Sequence, residues 1–188
     1  MSAETTVDLV RRRFTVAEYE RMGEAGILGQ DDRVELLDGE IVQKTPIGPL
    51  HASIVDRLNR MLIQRLGDRA VVRIQNPLLA GPRSQPQPDI SVVRARDDFY
   101  RSSHPDPAAV LLVVEVADSS FALDRGVKIP MYARAGIPEA WLVHLAALEV
   151  IVHHDGAYAS VRIVGLGEEL GAQAFPDVTI TVDELLTG

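Results

Sequence analysis

The sequence predicts an α/β or α+β domain with a mixed central β-sheet flanked by helices. Three observations lead there. Hydrophobic residues fill 46% of the 188 positions, enough for a packed core and too many for a disordered chain. The periodic segments run helix, hairpin, helix, several strands, helix, strands. One of them, "AVLLVVEVA" at 109–117, is a nearly continuous apolar run, as a strand buried on both faces reads. Strict βαβ alternation and a glycine-rich phosphate loop are both absent, which argues against Rossmann and P-loop enzymes. With no repeat or linker in view, residues 1–188 read as a single domain.

Each element has its own signal. "FTVAEYERM" opens a helix, with Thr15 and Glu18 as a capping box, Phe14 and Tyr19 as a hydrophobic staple, and an end near Gly26. "RVELLDGEIVQK" reads as a hairpin turning at Asp38-Gly39. "HASIVDRLNRMLIQRLGD" is the clearest helix: Ile54, Val55, Leu58, Met61, Leu62 and Leu66 form one apolar stripe, and Gly67 suits its end. "AVVRIQNPLLA" and "DISVVRA" read as short strands separated by a proline-rich loop. "DDFYRSSHPDPAA" reads as a polar connector. In "ALDRGVKIPMYARAG", Asp124 is the expected helix cap and Gly136 the stop, while Pro130 predicts a kink or a late start. "EAWLVHL", a hairpin turning near Asp155-Gly156, and a last strand with a short terminal helix complete the chain.

Composition excludes several classes. Without cysteine, no disulfide framework and no thiolate-bound zinc or iron–sulfur centre can form. No run of 18 apolar residues predicts a membrane span, and "MSAETTVDLVRRRF" lacks the apolar centre of a signal peptide, so a soluble cytoplasmic protein is expected. The net charge of −8 argues against a broadly basic nucleic-acid binder but leaves room for a local basic rim around an acidic metal centre. There are 17 arginines but only two lysines, Lys44 and Lys128, so each lysine raises a question of its own.

The informative feature is a set of acids inside apolar segments. Glu115 lies within "LLVVEVA", where an ionised carboxylate is costly unless paired or metal-bound. Asp89 starts the strand "DISVV", Glu35 interrupts "VELL", and Lys128 follows Glu115 by 13 residues. Each has a plainer reading. Asp89 could cap a strand or accept from loop amides. Glu35 could face solvent on a half-exposed hairpin. Glu115 could pair with an arginine, and Lys128 could lie on the surface. Together they suit two-carboxylate chemistry around Mg²⁺ or Mn²⁺, which prefer oxygen ligands and keep waters for substrate and nucleophile. A lysine beside them can stabilise developing negative charge or position the attacking water.

These segments resemble the Uma-two endonuclease family, a branch of the PD-(D/E)XK nuclease superfamily. The resemblance rests on "DDRVELLDGEIV", "QPQPDISVV", "LLVVEVADSS" and "DRGVKIPMYARAGIPEAWLV", and runs from "RFTVAEYERM" to "FPDVTITVDELL". It implies a restriction endonuclease-like core with a divalent metal at one edge of the sheet. Glu35 matches the acid of the N-terminal element, Asp89 the Asp of the Pro-Asp motif and Glu115 the acid of the second motif, with Asp89 and Glu115 as metal ligands. The superfamily's usual lysine position, two residues after that acid, holds Ala117; Lys128 matches the lysine this family carries on the next helix. His144 stands where relatives often carry Asp.

The expected function is metal-dependent endonucleolytic hydrolysis of nucleic acid, DNA above all, with Lys128 stabilising the transition state and a homodimer expected by analogy. The alternative is a binding or interaction module that keeps the fold without catalysis. A carboxylate-pair glycosidase ranks last, because aromatics make up only 5% of the chain. Around the four residues, Gln87 reads as a loop hydrogen-bonder near the metal edge, His51 as a core or cap histidine that could point at the site, and Tyr132 as core. His153-His154-Asp155 reads as solvated. Arg57, Arg60 and Arg65 form an exposed helix face that could touch phosphate.

Overall fold

The structure, a computed structural model, describes residues 11–29 and 31–187. Most of the stretch read for a signal peptide, residues 1–10, lies outside the described residues. A six-stranded mixed sheet forms the centre, in the order β3 (Ala70–Ile74), β4 (Ile90–Arg94), β5 (Val110–Ala117), β6 (Glu139–His144), β7 (Glu149–His154), β8 (Ser160–Val164). Only β5 and β6 run parallel; the other neighbours are antiparallel. This is the mixed sheet expected, with its most buried strands at the parallel pair.

Alternation along β5 divides the molecule into layers. Leu112, Val114 and Val116 face the core under α2 (Pro49–Leu66) and α5 (Val182–Leu186). Val113 and Ala117 face the second core, filled by Met131, Tyr132 and Ile137. The stripe on α2 buries Ile54, Val55, Leu58, Leu62 and Leu66 against the first face. Arg57 donates to the Leu185 carbonyl, and Arg65 pairs with Glu184, so these two arginines bind α2 to α5. That use accounts for them without phosphate. A further small ribbon, β9 (Glu169–Gly171) with β10 (Thr179–Thr181), closes this side.

On the other side, α1 (Val16–Glu24) carries the expected capping box, and β1 (Val34–Leu37) pairs with β2 (Glu40–Gln43) around Asp38-Gly39. Both turn residues have positive φ, and a Cβ on Gly39 would meet Arg13 Cβ at 2.7 Å, so only glycine fits there. The proline-rich loop docks along this hairpin. Gln85 N–H donates to the Leu36 carbonyl at 2.8 Å, Gly39 N–H to the Arg83 carbonyl at 2.7 Å, and Asp38 N–H to Ser84 Oγ at 2.9 Å. Hence residues that look like a free loop in sequence run as a fixed rail into Asp89 and β4.

Three expectations need correction. The helix after β5 begins at Phe121, not at an Asp124 cap: α3 (Phe121–Leu123) passes into a π-helical stretch (Asp124–Lys128) and then α4 (Ile129–Ala135). In a regular α register, Pro130 would lack its bond and strike the carbonyl one turn back. Widening the preceding turn, with Ile129 N–H bonded to the Asp124 carbonyl, absorbs the proline. β3 stops at Ile74 because Gln75 takes a positive φ and turns the chain away. The connector after β4 is only partly polar in use: Tyr100 is buried, and its hydroxyl donates to the Arg94 carbonyl at 2.8 Å. Gly136 ends α4 in the left-handed region, as expected. Among the described residues, no helix is long and apolar enough to cross a membrane.

Candidate active site

The described residues bury six charged side chains: Glu35, Asp89, Glu115, Asp124, Lys128 and Glu139. Five of them gather at one place, where the hairpin, the rail loop, β5 and the π-helical stretch meet around a cavity of ≈ 70 Å³. The four residues singled out from sequence, Glu35, Asp89, Glu115 and Lys128, are all among these five. The fifth, Asp124, opens the π-helical stretch instead of capping a helix.

Position follows from local structure. Asp89 ends the rail, one residue before β4. Its Oδ2 accepts from Val116 N–H at 2.8 Å and lies 3.0 Å from His51 Nε2, while Oδ1 accepts only from the Gln75 amide at 3.3 Å. Burial pushes the Asp89 carboxyl up, but the His51 bond and charge and the Val116 amide outweigh it, and its pKa falls below the usual value. The same bond draws the His51 pKa up against the effect of burial.

Glu115 projects from β5 toward the helical run. Tyr132 donates to its Oε1 at 2.6 Å, and Lys128 Nζ stands 3.3 Å away. Burial, helped by the neighbouring acids and only partly offset by Lys128, pushes the Glu115 carboxyl up to about 8. Glu35 accepts from Lys128 at 3.0 Å and from the Gln87 N–H at 3.0 Å, which joins the hairpin to the rail. Asp124 takes a 2.6 Å bond from Ser120 and lies 3.9 Å from Lys128; burial raises its pKa. The Lys128 ammonium therefore sits among three carboxylates. Burial alone would lower its pKa, but Glu115, Glu35 and Asp124 hold it well above the ordinary value.

Two of the plainer sequence readings gain a second role. Tyr132 is fully buried, as core, yet it also bonds Glu115. His51 heads the stripe of α2 and bonds Asp89. Lys44 and Gln75 are further residues at the cavity that sequence reasoning left without a role. A signal existed for two of the missed groups: Asp124 precedes Lys128 by four residues, and Lys44 is the only other lysine. His144 stacks on Phe121 at 3.9 Å and takes no place among the acids. His154 pairs with its neighbour Asp155 at 3.0 Å.

The donor set suits a hard divalent cation. The four buried acids at the cavity offer oxygen, the donor that such ions prefer. The least committed oxygens are Asp124 Oδ1, with Lys128 3.9 Å away, and Asp89 Oδ1, which accepts from the Gln75 amide at 3.3 Å. Among the described residues, no three His, Asp or Glu side chains converge on one point as a preformed metal centre does. Lys128 stands between Glu35 and Glu115, where the carboxylates would otherwise repel one another.

Comparison with known proteins places this architecture. A solved structure, described as that of "a putative nuclease belonging to DUF820" from Anabaena variabilis ATCC 29413, shares the fold with a TM-score of 0.73 at 15% identity, covering 93% of this chain and 98% of that chain. No curated protein matches. The family model named Uma2, described as "Putative restriction endonuclease", matches residues 16–183, a span that takes in the hairpin, the rail, β5 and the lysine-bearing helix. The chain belongs to the Uma2 family.

Proposed function

We propose that this protein is a cytoplasmic, divalent-metal-dependent endonuclease that hydrolyses phosphodiester bonds in DNA. One observation carries the reading: in a chain of the Uma2 family, whose model is described as "Putative restriction endonuclease", five of the six charged side chains buried among the described residues line one cavity. Asp89 and Glu115 are the proposed ligands of Mg²⁺ or Mn²⁺. The bound ion would neutralise phosphate charge and lower the pKa of an attacking water. The remaining work belongs to the chain. Val116 N–H and His51 fix one oxygen of Asp89, and the other accepts from the Gln75 amide at 3.3 Å. Tyr132 fixes Glu115. Glu35, held by the Gln87 amide, orients water, and Lys128 keeps the acids together in an environment where their repulsion is otherwise strong.

The test is cleavage of plasmid and oligonucleotide DNA in Mn²⁺ by the wild type, Asp89→Ala and Glu115→Ala. Loss of cutting in both variants, with folding intact by circular dichroism, is the expected result. Equal cutting by all three would sink the site. The second reading, a binding module that has lost catalysis, is favoured by the net charge of −8 and by Lys128 standing where a cation would help. Calorimetric titration with Mn²⁺ separates the two: the nuclease binds metal and loses it in Asp89→Ala. A homodimer presenting two sites to a duplex belongs to the same proposal, and sedimentation equilibrium decides it.

A further inference from the structure

The chain's two lysines reach the same cavity, but they stand in opposite situations. Lys128 is 5% exposed, with Glu35, Glu115 and Asp124 around its ammonium at 3.0, 3.3 and 3.9 Å. An ammonium has three N–H donors, and here all three sides face carboxylate. Moving it toward a phosphate would leave buried acids without their counter-ion, a strongly unfavourable exchange.

Lys44 follows β2 directly. Its own N–H bonds the Arg33 carbonyl at 2.7 Å, which fixes its base at the mouth of the hairpin. The side chain is half-buried, and its Nζ donates to the Gln87 carbonyl at 3.1 Å and to Gln87 Oε1 at 3.4 Å. Both acceptors are neutral, and among the described residues no carboxylate forms an ion pair with it. One N–H remains uncommitted on the cavity wall. Gln87 is also the residue whose backbone amide holds Glu35, two positions before Asp89. Lys44 is thus tied to the rail that positions two of the acids, while its charge stays free.

We infer that Lys44 is the cation that contacts the phosphodiester, while Lys128 is the fixed counter-ion of the carboxylates. This rests on the nuclease reading of the cavity. The test uses a fluorescein-labelled 20-base-pair duplex in Ca²⁺, read by anisotropy over a salt series, together with Mn²⁺ calorimetry and plasmid cleavage. Lys44→Met is expected to weaken duplex binding about tenfold, the worth of one charge-assisted hydrogen bond. It should also reduce the slope of log K against log salt by about 0.9, the signature of one lost phosphate contact. Mn²⁺ affinity should stay within twofold of wild type, and Lys44→Arg should restore the salt slope. A lysine that only braced the loop would leave that slope unchanged. Wild-type binding and slope in Lys44→Met overturn the inference, as does a wild type that binds no duplex. Wild-type affinity and salt slope in Lys44→Met, with plasmid still cut by the wild type, remove Lys44 alone and leave the nuclease reading standing. A Lys44-dependent salt slope in a protein that cuts nothing supports the contact and removes hydrolysis.

Discussion

Glu115 and Glu139 lie on adjacent parallel strands, three rungs apart and on opposite faces of one sheet, and are 2% and 1% exposed. In both, burial raises the carboxyl pKa. Their surroundings differ completely. Glu139 accepts from Trp141 Nε1–H at 2.6 Å and from the Gln173 N–H at 2.7 Å, one donor for each oxygen. Nothing is left over; it is a bracket that fastens the segment before β10 to the start of β6. Glu115 instead meets a tyrosine, a lysine and three further acids beside a cavity. Burial of an acid is therefore no mark of a site by itself. Crowding of like charges that the fold could have avoided is the mark, because it stores a demand for cation that neutral donors cannot meet.

The largest test of this contrast removes the cation. Lys128→Met is expected to cost about 3–5 kcal/mol in urea unfolding, since it leaves several buried acids uncompensated. Mn²⁺ should then recover more stability in the variant than in the wild type. A variant as stable as wild type would mean that the acids do not need Lys128. Next in size is the metal itself. At about 100 times its Kd, Mn²⁺ should raise wild-type stability by about 2.7 kcal/mol. That gain should vanish in Asp89→Ala and persist in Glu139→Gln; loss in both would erase the distinction between the two acids.

Glu139→Ala is smaller, costing about 1–3 kcal/mol by stranding buried donors, with Mn²⁺ affinity untouched. Smallest is a pH effect. The folded pKa of Glu139 is raised above the ordinary 4.5, so its contribution to stability is complete below that value and declines as pH rises past it. Comparison of urea midpoints across pH should show a flatter decline in Glu139→Gln, by less than about 1.4 kcal/mol per pH unit. An unchanged slope would mean that the Glu139 carboxyl titrates alike in the folded and unfolded chains.

Much of the fold was legible because it rests on local periodicity. The stripe of α2, the Asp38-Gly39 hairpin and the buried run of β5 each repeat a spacing that burial enforces. The misreadings have local causes too. Asp124 looked like a cap because acids cap helices, and nothing in sequence announces a π-helical turn except Pro130 downstream. Glu139 drew no notice at the head of "EAWLVHL", although it is as buried as Glu115.

By itself, then, the sequence determined which elements form and, through the motif order, that Glu35, Asp89, Glu115 and Lys128 belong together. Tertiary structure alone decided what each one touches. Whether a buried carboxylate meets a backbone amide or an ammonium depends on residues distant in the chain, such as Lys128, 13 positions from Glu115, and Gln87, 52 positions from Glu35. Only the packing of hairpin, rail and helix brings those partners within 3–4 Å, where charges act on one another most strongly. The two lysines, alike as letters, came to lie among three acids in one case and against the neutral Gln87 in the other for the same reason.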